Sequence, residues 1–160
     1  MKPATNKIYD LDEAREKIRA YCAYRERSHW EVGEKLRSYG LIEEVVNQLV
    51  SELIQENYLN EERFARSFVR GKFRQKKWGR QKIRQALYQH RLSDYVLRQA
   101  FSEIDEETYL KTLRELSAKK EASLNDRNTF VRRRKLAAYL IRKGYESDLV
   151  WDLIRSPESQ

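Results

Sequence analysis

The chain has 160 residues, of which 33 are Lys or Arg and 25 are Asp or Glu, giving a net charge of +8 alongside a hydrophobic fraction of 40%. That suffices for one ordinary domain or for several very small units sharing a core, and the apolar content argues against wholesale disorder. Cys22 is the only cysteine, which excludes an intramolecular disulfide and a multi-cysteine zinc site; no apolar run approaches the ~20 residues that span a bilayer, and the first residues, MKPATNKIYD, have no apolar signal core.

The two prolines, Pro3 and Pro157, stand at the ends, so nothing in between forbids helix. A first set of helices is expected over 11–26, 28–39 and 41–56. Asp10 with Glu13, and Ser28 with Glu31, have the spacing of capping boxes, and LIEEVVNQLVSELI (41–54) places Ile42, Val45, Val46, Leu49, Val50, Leu53 and Ile54 on one buried helical face. A second set is expected over 60–76, 79–91 and 93–104, with Asn60 and Ser93 as N-caps and Val96, Leu97, Ala100 and Phe101 repeating the apolar spacing. A third set follows over 105–122, 127–143 and 146–156, where Leu149, Val150, Leu153 and Ile154 repeat it again. KLRSYGLIEEVV (35–46), ALYQHRLSDYVL (86–97) and YLIRKGYESDLV (139–150) align without gaps, so that Leu36, Leu87 and Leu140 correspond. Such self-similarity marks tandem supersecondary units. The fold expected is all-α: an elongated array of three three-helix repeats over 1–58, 59–104 and 105–160. Gly40 and Gly144 fall where a helix ends in a left-handed residue, and Arg91 takes that slot in the middle unit.

Charge is distributed unevenly over this array. Residues 1–62 carry 9 basic and 13 acidic side chains, residues 63–93 carry 11 basic and no acidic ones, and residues 94–160 carry 13 and 12. A localised field of this kind suits a polyanionic or acidic-surfaced partner. On a helix over 60–76, Phe64, Ala65, Phe68 and Val69 face the core while Arg63, Arg66, Arg70 and Arg74 form a stripe opposite. Lys72 adjoins the stripe, Lys76, Lys77 and Trp78 occupy the bend, and Arg80, Lys82 and Arg84 flank the core face of the next helix. Ordinary solvated helices intersperse signs, so these ten cations are the expected partner-binding or nucleic-acid-binding residues. Trp78 is expected to pack at the bend, and the run Arg132, Arg133, Arg134, Lys135 is equally readable as contact surface or solvated face. His29, His90 and Cys22 read as structural; no metal-ligand spacing, phosphate-cradling loop or clustered acid and base appears, so neither an enzyme nor a cofactor is expected.

The run YLNEERFARSFVRGKFRQKKWGRQKIRQAL (58–87) resembles the central signature of RecX, the bacterial regulator of the RecA recombinase. RSHWEVGEKL (27–36) and RRKLAAYLIRKGYESDLVWDLI (133–154) resemble the family's first and last repeats, in the family's order. Two departures stand out: Asn57 where many members have Gly, and His90-Arg91-Leu92 in place of a common Lys-Gly-Ile. With a single cysteine and no apolar span, a soluble cytoplasmic protein is expected; the resemblance implies a protein of DNA repair and recombination that lies in the groove of the RecA–DNA filament and damps strand exchange, ATP hydrolysis and filament growth. On residues alone, a direct non-specific binder of single- or double-stranded DNA stays open, because phosphate neutralisation by the same cations gives salt-dependent affinity without a protein partner.

Overall fold

The computed structural model describes residues 9–156, and among them the only regular structure is helix. The first unit holds α1 (Leu11–Tyr24), α2 (His29–Ser38) and α3 (Glu43–Gln55); the second holds α4 (Glu61–Lys76), α5 (Arg80–Leu87) with a 3-10 turn (Tyr88–His90), and α6 (Asp94–Phe101); the third holds α7 (Glu106–Ser123), α8 (Thr129–Arg142) and α9 (Ser147–Arg155). The aligned leucines Leu36, Leu87 and Leu140 are all buried to within 1% of their surface. The recurrence in sequence is thus a recurrence of core position.

Capping fixes where the helices begin. Ser28 accepts from the Glu31 amide while the Glu31 carboxylate accepts from the Ser28 amide, a reciprocal capping box. Asp10, Asn60 and Ser93 each cap through a side-chain oxygen, and Asp105 and Asn128 do the same for α7 and α8. At the C-terminal ends, Gly40 and Gly144 are left-handed, and so are Asn57, Lys77 and Arg91. For a non-glycine residue that conformation costs on the order of 1 kcal/mol. At Asn57 the chain offsets it locally: Arg63 donates to both the side-chain and the main-chain oxygen of Asn57, each at 3.1 Å, and the Tyr58 amide reaches back to the Leu53 carbonyl to close the helix end.

The units do not share one continuous core. The first closes its own, from Ala14, Ile18, Val32, Leu36, Val46, Leu49 and Leu53, with Leu59 added from the connection to α4; Ile42 and Ile54, expected on the same face, are instead exposed, Ile42 because it is the N-cap before α3 and Ile54 because it falls at the edge of the apolar stripe. The second and third share another, running from Phe64 to Ile154. The two junctions between units differ accordingly. First and second meet through polar side chains: His90 Nδ1 lies 2.7 Å from Ser28 Oγ, His29 Nδ1 lies 3.3 Å from Glu61, and Arg63 pairs with Glu26 at 2.5 Å. The His90 ring stands nearly perpendicular to Trp30, and Phe64 and Phe68 pack beside it. Second and third meet backbone to backbone: the Gly79 amide donates to the Lys143 carbonyl and the Gln81 amide to the Gly144 carbonyl, both at 2.9 Å. Tyr145 adds a hydrogen bond from its hydroxyl to the Lys77 carbonyl at 2.9 Å.

A methyl group on Gly79 would sit inside contact distance of the Gly144 carbonyl, whereas one on Gly71, in the interior of α4, would meet nothing. We therefore expect Gly79→Ala to cost about 3 kcal/mol in urea unfolding, as overpacking against an immovable backbone does, and Gly71→Ala to add about 1 kcal/mol through helix propensity alone. A second expectation concerns pH. Burial holds the His90 imidazole below its usual range, with Glu31 opposing that shift. The unfolded chain then takes up the proton first, so stability falls as pH drops below about 6.5. Melting curves from about pH 7 to pH 5.5, a window above the carboxylate range, should show this loss in the wild type and a smaller one in His90→Asn.

Candidate partner-binding surface

The stretch 63–84 carries no acid of its own, yet the fold brings acids to part of it. Arg66 lies between Glu62 and Glu103, both at 3.0 Å, and donates to Gln99 at 3.1 Å; Arg70 reaches the other Glu103 oxygen at 3.3 Å. These bonds tie α4 to α6 and hold the Glu103 carboxyl below its usual range, the Arg66 hydrogen bond being the chief cause. Arg63 is spent on Glu26 and the Asn57 turn. Arg80 is 2.6 Å from Glu146 and 2.9 Å from Glu106, with its guanidinium over the Tyr109 ring. Partial burial disfavours its charge, but the bonds to Glu106 and Glu146 outweigh that and raise its pKa. Tyr109 in turn donates to Glu146 and accepts from the Arg80 amide, and its burial foremost pushes the phenol pKa up.

The ten cations expected from the sequence thus divide. Arg63, Arg66, Arg70 and Arg80 are ion-paired struts of the fold. Lys72, Arg74, Lys76, Lys77, Lys82 and Arg84 have no carboxylate within 4.0 Å among the described residues. Arg74, Lys76 and Lys77 are exposed, and Lys77 is the left-handed residue that ends α4. Trp78 packs at the bend against the shared core, with the Lys72 ammonium 5.0 Å and the Lys82 ammonium 4.4 Å from its ring centre. Arg84 lies over Phe101 at 4.7 Å. Cation–π contact of this kind holds a charged side chain in place without neutralising it. Along α4 the stripe is thus ion-paired at Arg63, Arg66 and Arg70, and the unneutralised charge gathers around the α4–α5 bend.

Apart from Glu62, one turn before Arg66, the acidic partners of these struts lie far along the chain, yet the repeat carried a signal of them. The 51-residue register that superposes Leu36 on Leu87 also superposes Arg15 on Arg66 and Glu52 on Glu103. Arg15 and Glu52 are themselves paired at 2.9 Å between α1 and α3. Elsewhere, Arg132 donates to the carbonyls of Leu124 and Asp126, and Lys135 pairs with Asp126 at 2.9 Å, so half of the second basic run serves its own loop. Cys22 is buried in the first core, and burial pushes its thiol up to about 11, which leaves it neutral and unreactive. Among the described residues no cluster of three metal-ligating side chains occurs, and no helix is long and apolar enough to cross a membrane.

Comparison with known proteins places this arrangement. Residues 60–100 match the second three-helix domain of RecX and residues 107–154 its third. The chain belongs to the RecX family. It is 30% identical over 136 residues to the regulatory protein RecX of Streptococcus uberis, covering 81% of this chain and 50% of that one, and 28% identical over 148 residues to that of Amycolatopsis mediterranei, covering 90% and 85%. The chain spans about half the length of the Streptococcus relative and of several Bacillus ones. Its fold superposes on the crystal structure of RecX from Lactobacillus salivarius with a TM-score of 0.81 at 22% identity, covering 90% of this chain and 93% of that one. The all-α architecture of three-helix units is the family's.

Strut and free cation should separate in stability measurements. Arg66→Ala removes charge-assisted bonds to two elements and is expected to cost about 2 kcal/mol in urea unfolding, whereas Arg74→Ala should stay within about 0.5 kcal/mol of the wild type.

Proposed function

We propose that this chain regulates recombination by binding the RecA–DNA filament, in which it damps strand exchange and ATP hydrolysis, and that it does so without catalysis of its own. The observation that carries this reading is the set of six unneutralised cations, Lys72, Arg74, Lys76, Lys77, Lys82 and Arg84, gathered at one bend of a RecX-family fold. Six like charges held together repel one another, and nothing inside the described chain offsets them. A partner that supplies carboxylates or phosphates does. A nucleoprotein filament supplies both, and its repeating surface suits a protein built of repeating units. The bend is also anchored by main chain, since the backbone bonds of Gly79 and Gln81 tie it to the third unit. Cations on a fixed support lose less conformational freedom on binding than cations on a loop.

The variants follow from the division of charge. Reversing Arg66 and Arg70 would set like charges against Glu103 and unfold the junction, so it would report on stability. Arg74→Glu, Lys76→Glu and Lys77→Glu together reverse three of the exposed charges without touching a strut. With labelled protein at about 0.15 M salt, where exposed charges are screened over ~8 Å, anisotropy should show tight binding to RecA–single-stranded DNA filaments and weak binding to bare DNA. The triple variant should fold like the wild type and bind filaments at least tenfold more weakly. Equal affinity of the wild type for filament and bare DNA would replace this reading with direct DNA binding.

A further inference from the structure

Tyr88 is the most exposed large apolar side chain of the described residues, 87% open to solvent, although buried residues stand one position before it and two after it. Leu87 before it is 1% exposed and His90 after it 6%. The short turn Tyr88–His90 ends in the left-handed Arg91, whose amide returns to the Tyr88 carbonyl at 3.2 Å. Buried neighbours on both sides fix the backbone, so the ring is held outward on a rigid base. Internal packing does not account for an aromatic ring so placed.

The surroundings specify what would cover it. Two hollows of about 700 and 710 Å³ flank the residue, and Tyr88 and Arg84 line both, forming the ridge between them. Lys82 and Arg142 rim one hollow and Arg91 the other, while Asp94 is the single carboxylate lining either. The remaining polar groups on this face are uncharged amides: Gln81 and Gln85 in one hollow and Gln89 in the other. Cations on both flanks of an exposed ring, with neutral donors and acceptors between them, match a chain of phosphates whose bases are free to stack. A duplex cannot use the ring, because its bases are already covered by their neighbours. An acidic peptide would use the cations and leave the ring idle.

We propose that the Arg84–Tyr88 ridge is a binding site for single-stranded nucleic acid, in which one unpaired base stacks on Tyr88 and the phosphates on either side of it lie in the two hollows against Lys82, Arg91 and Arg142. This surface shares Lys82 and Arg84 with the cluster assigned to the filament but not its exposed Arg74, Lys76 and Lys77, and its test contains no recombinase, so either reading can fail without the other.

The test compares a labelled oligothymidylate with an abasic oligomer of the same length and phosphate count, at about 0.15 M salt. Wild type is expected to prefer the base-bearing strand. Tyr88→Ala should lose roughly 5- to 150-fold in affinity for that strand, the range that one aromatic stack carries, and should bind both oligomers alike. Tyr88→Trp should retain the preference. Because the side chain is almost fully exposed, circular dichroism should show Tyr88→Ala folded. Equal binding of the two oligomers by the wild type would overturn the proposal and leave phosphate contact alone. So would equal competition by a polyglutamate peptide of matching charge, which would make the ridge an acidic-protein dock.

Discussion

Two backbone hydrogen bonds organise this molecule: Gly79 to Lys143 and Gln81 to Gly144. They join the turn that ends α4 to the turn that ends α8, at a separation that no side chain could share. Everything around the bend depends on that approach. It brings Tyr145 under the Lys77 carbonyl, sets Arg80 between Glu106 and Glu146, and lets the second and third units close a single core from Phe64 to Ile154. The bend that carries the free cations is thus a fixed point of the fold, although in sequence it looks like a polar connection between helices.

The other junction is of a different kind. Ser28, His29, Glu26, Arg63 and His90 hold the first unit to the second through side chains, and in one of these bonds burial holds the His90 imidazole below its usual range. The first unit meanwhile closes its own core. A protein of three similar repeats is therefore energetically a block of two with a third attached by polar and aromatic side-chain contacts. Similarity of units does not make their interfaces similar, because an interface depends on which residues the turns present and the repeats differ most there: Gly40, Arg91 and Gly144 occupy one equivalent position.

Much of this was legible in the sequence, and the portion that was not has a common cause. Helix positions followed from the three-and-four spacing and the caps Asp10, Ser28, Asn60 and Ser93, because those signals act over a few residues. The left-handed residues at 40, 91 and 144 followed from the repeat. Asn57 was legible as a departure from its family but not as a turn held by Arg63, and Lys77 carried no local sign of its conformation. The partners of Arg66, Arg70 and Arg80 stayed hidden because Glu103, Glu106 and Glu146 lie 26 to 66 residues away. A count of charge along the chain sees eleven cations in a row, while the fold neutralises those whose bonds it needs. Local chemistry reads locally; which charges remain for a partner is a property of the assembled surface.

The backbone junction at Gly79 and Gly144 has one more consequence, for how such a surface can change over generations. A joint made from main-chain groups asks only that two positions remain glycine, and makes no demand on the side chains beside it. Lys76 and Lys77 stand directly above that joint and take no part in it beyond their own backbone. Selection can exchange them for other residues, and so retune what the bend attracts, without loosening the scaffold that presents it. The struts Arg66 and Arg80 have no such freedom, since each change there must be answered by a change in another helix. Within one short stretch of chain, the structure separates positions that can adapt singly from positions that can move only in pairs.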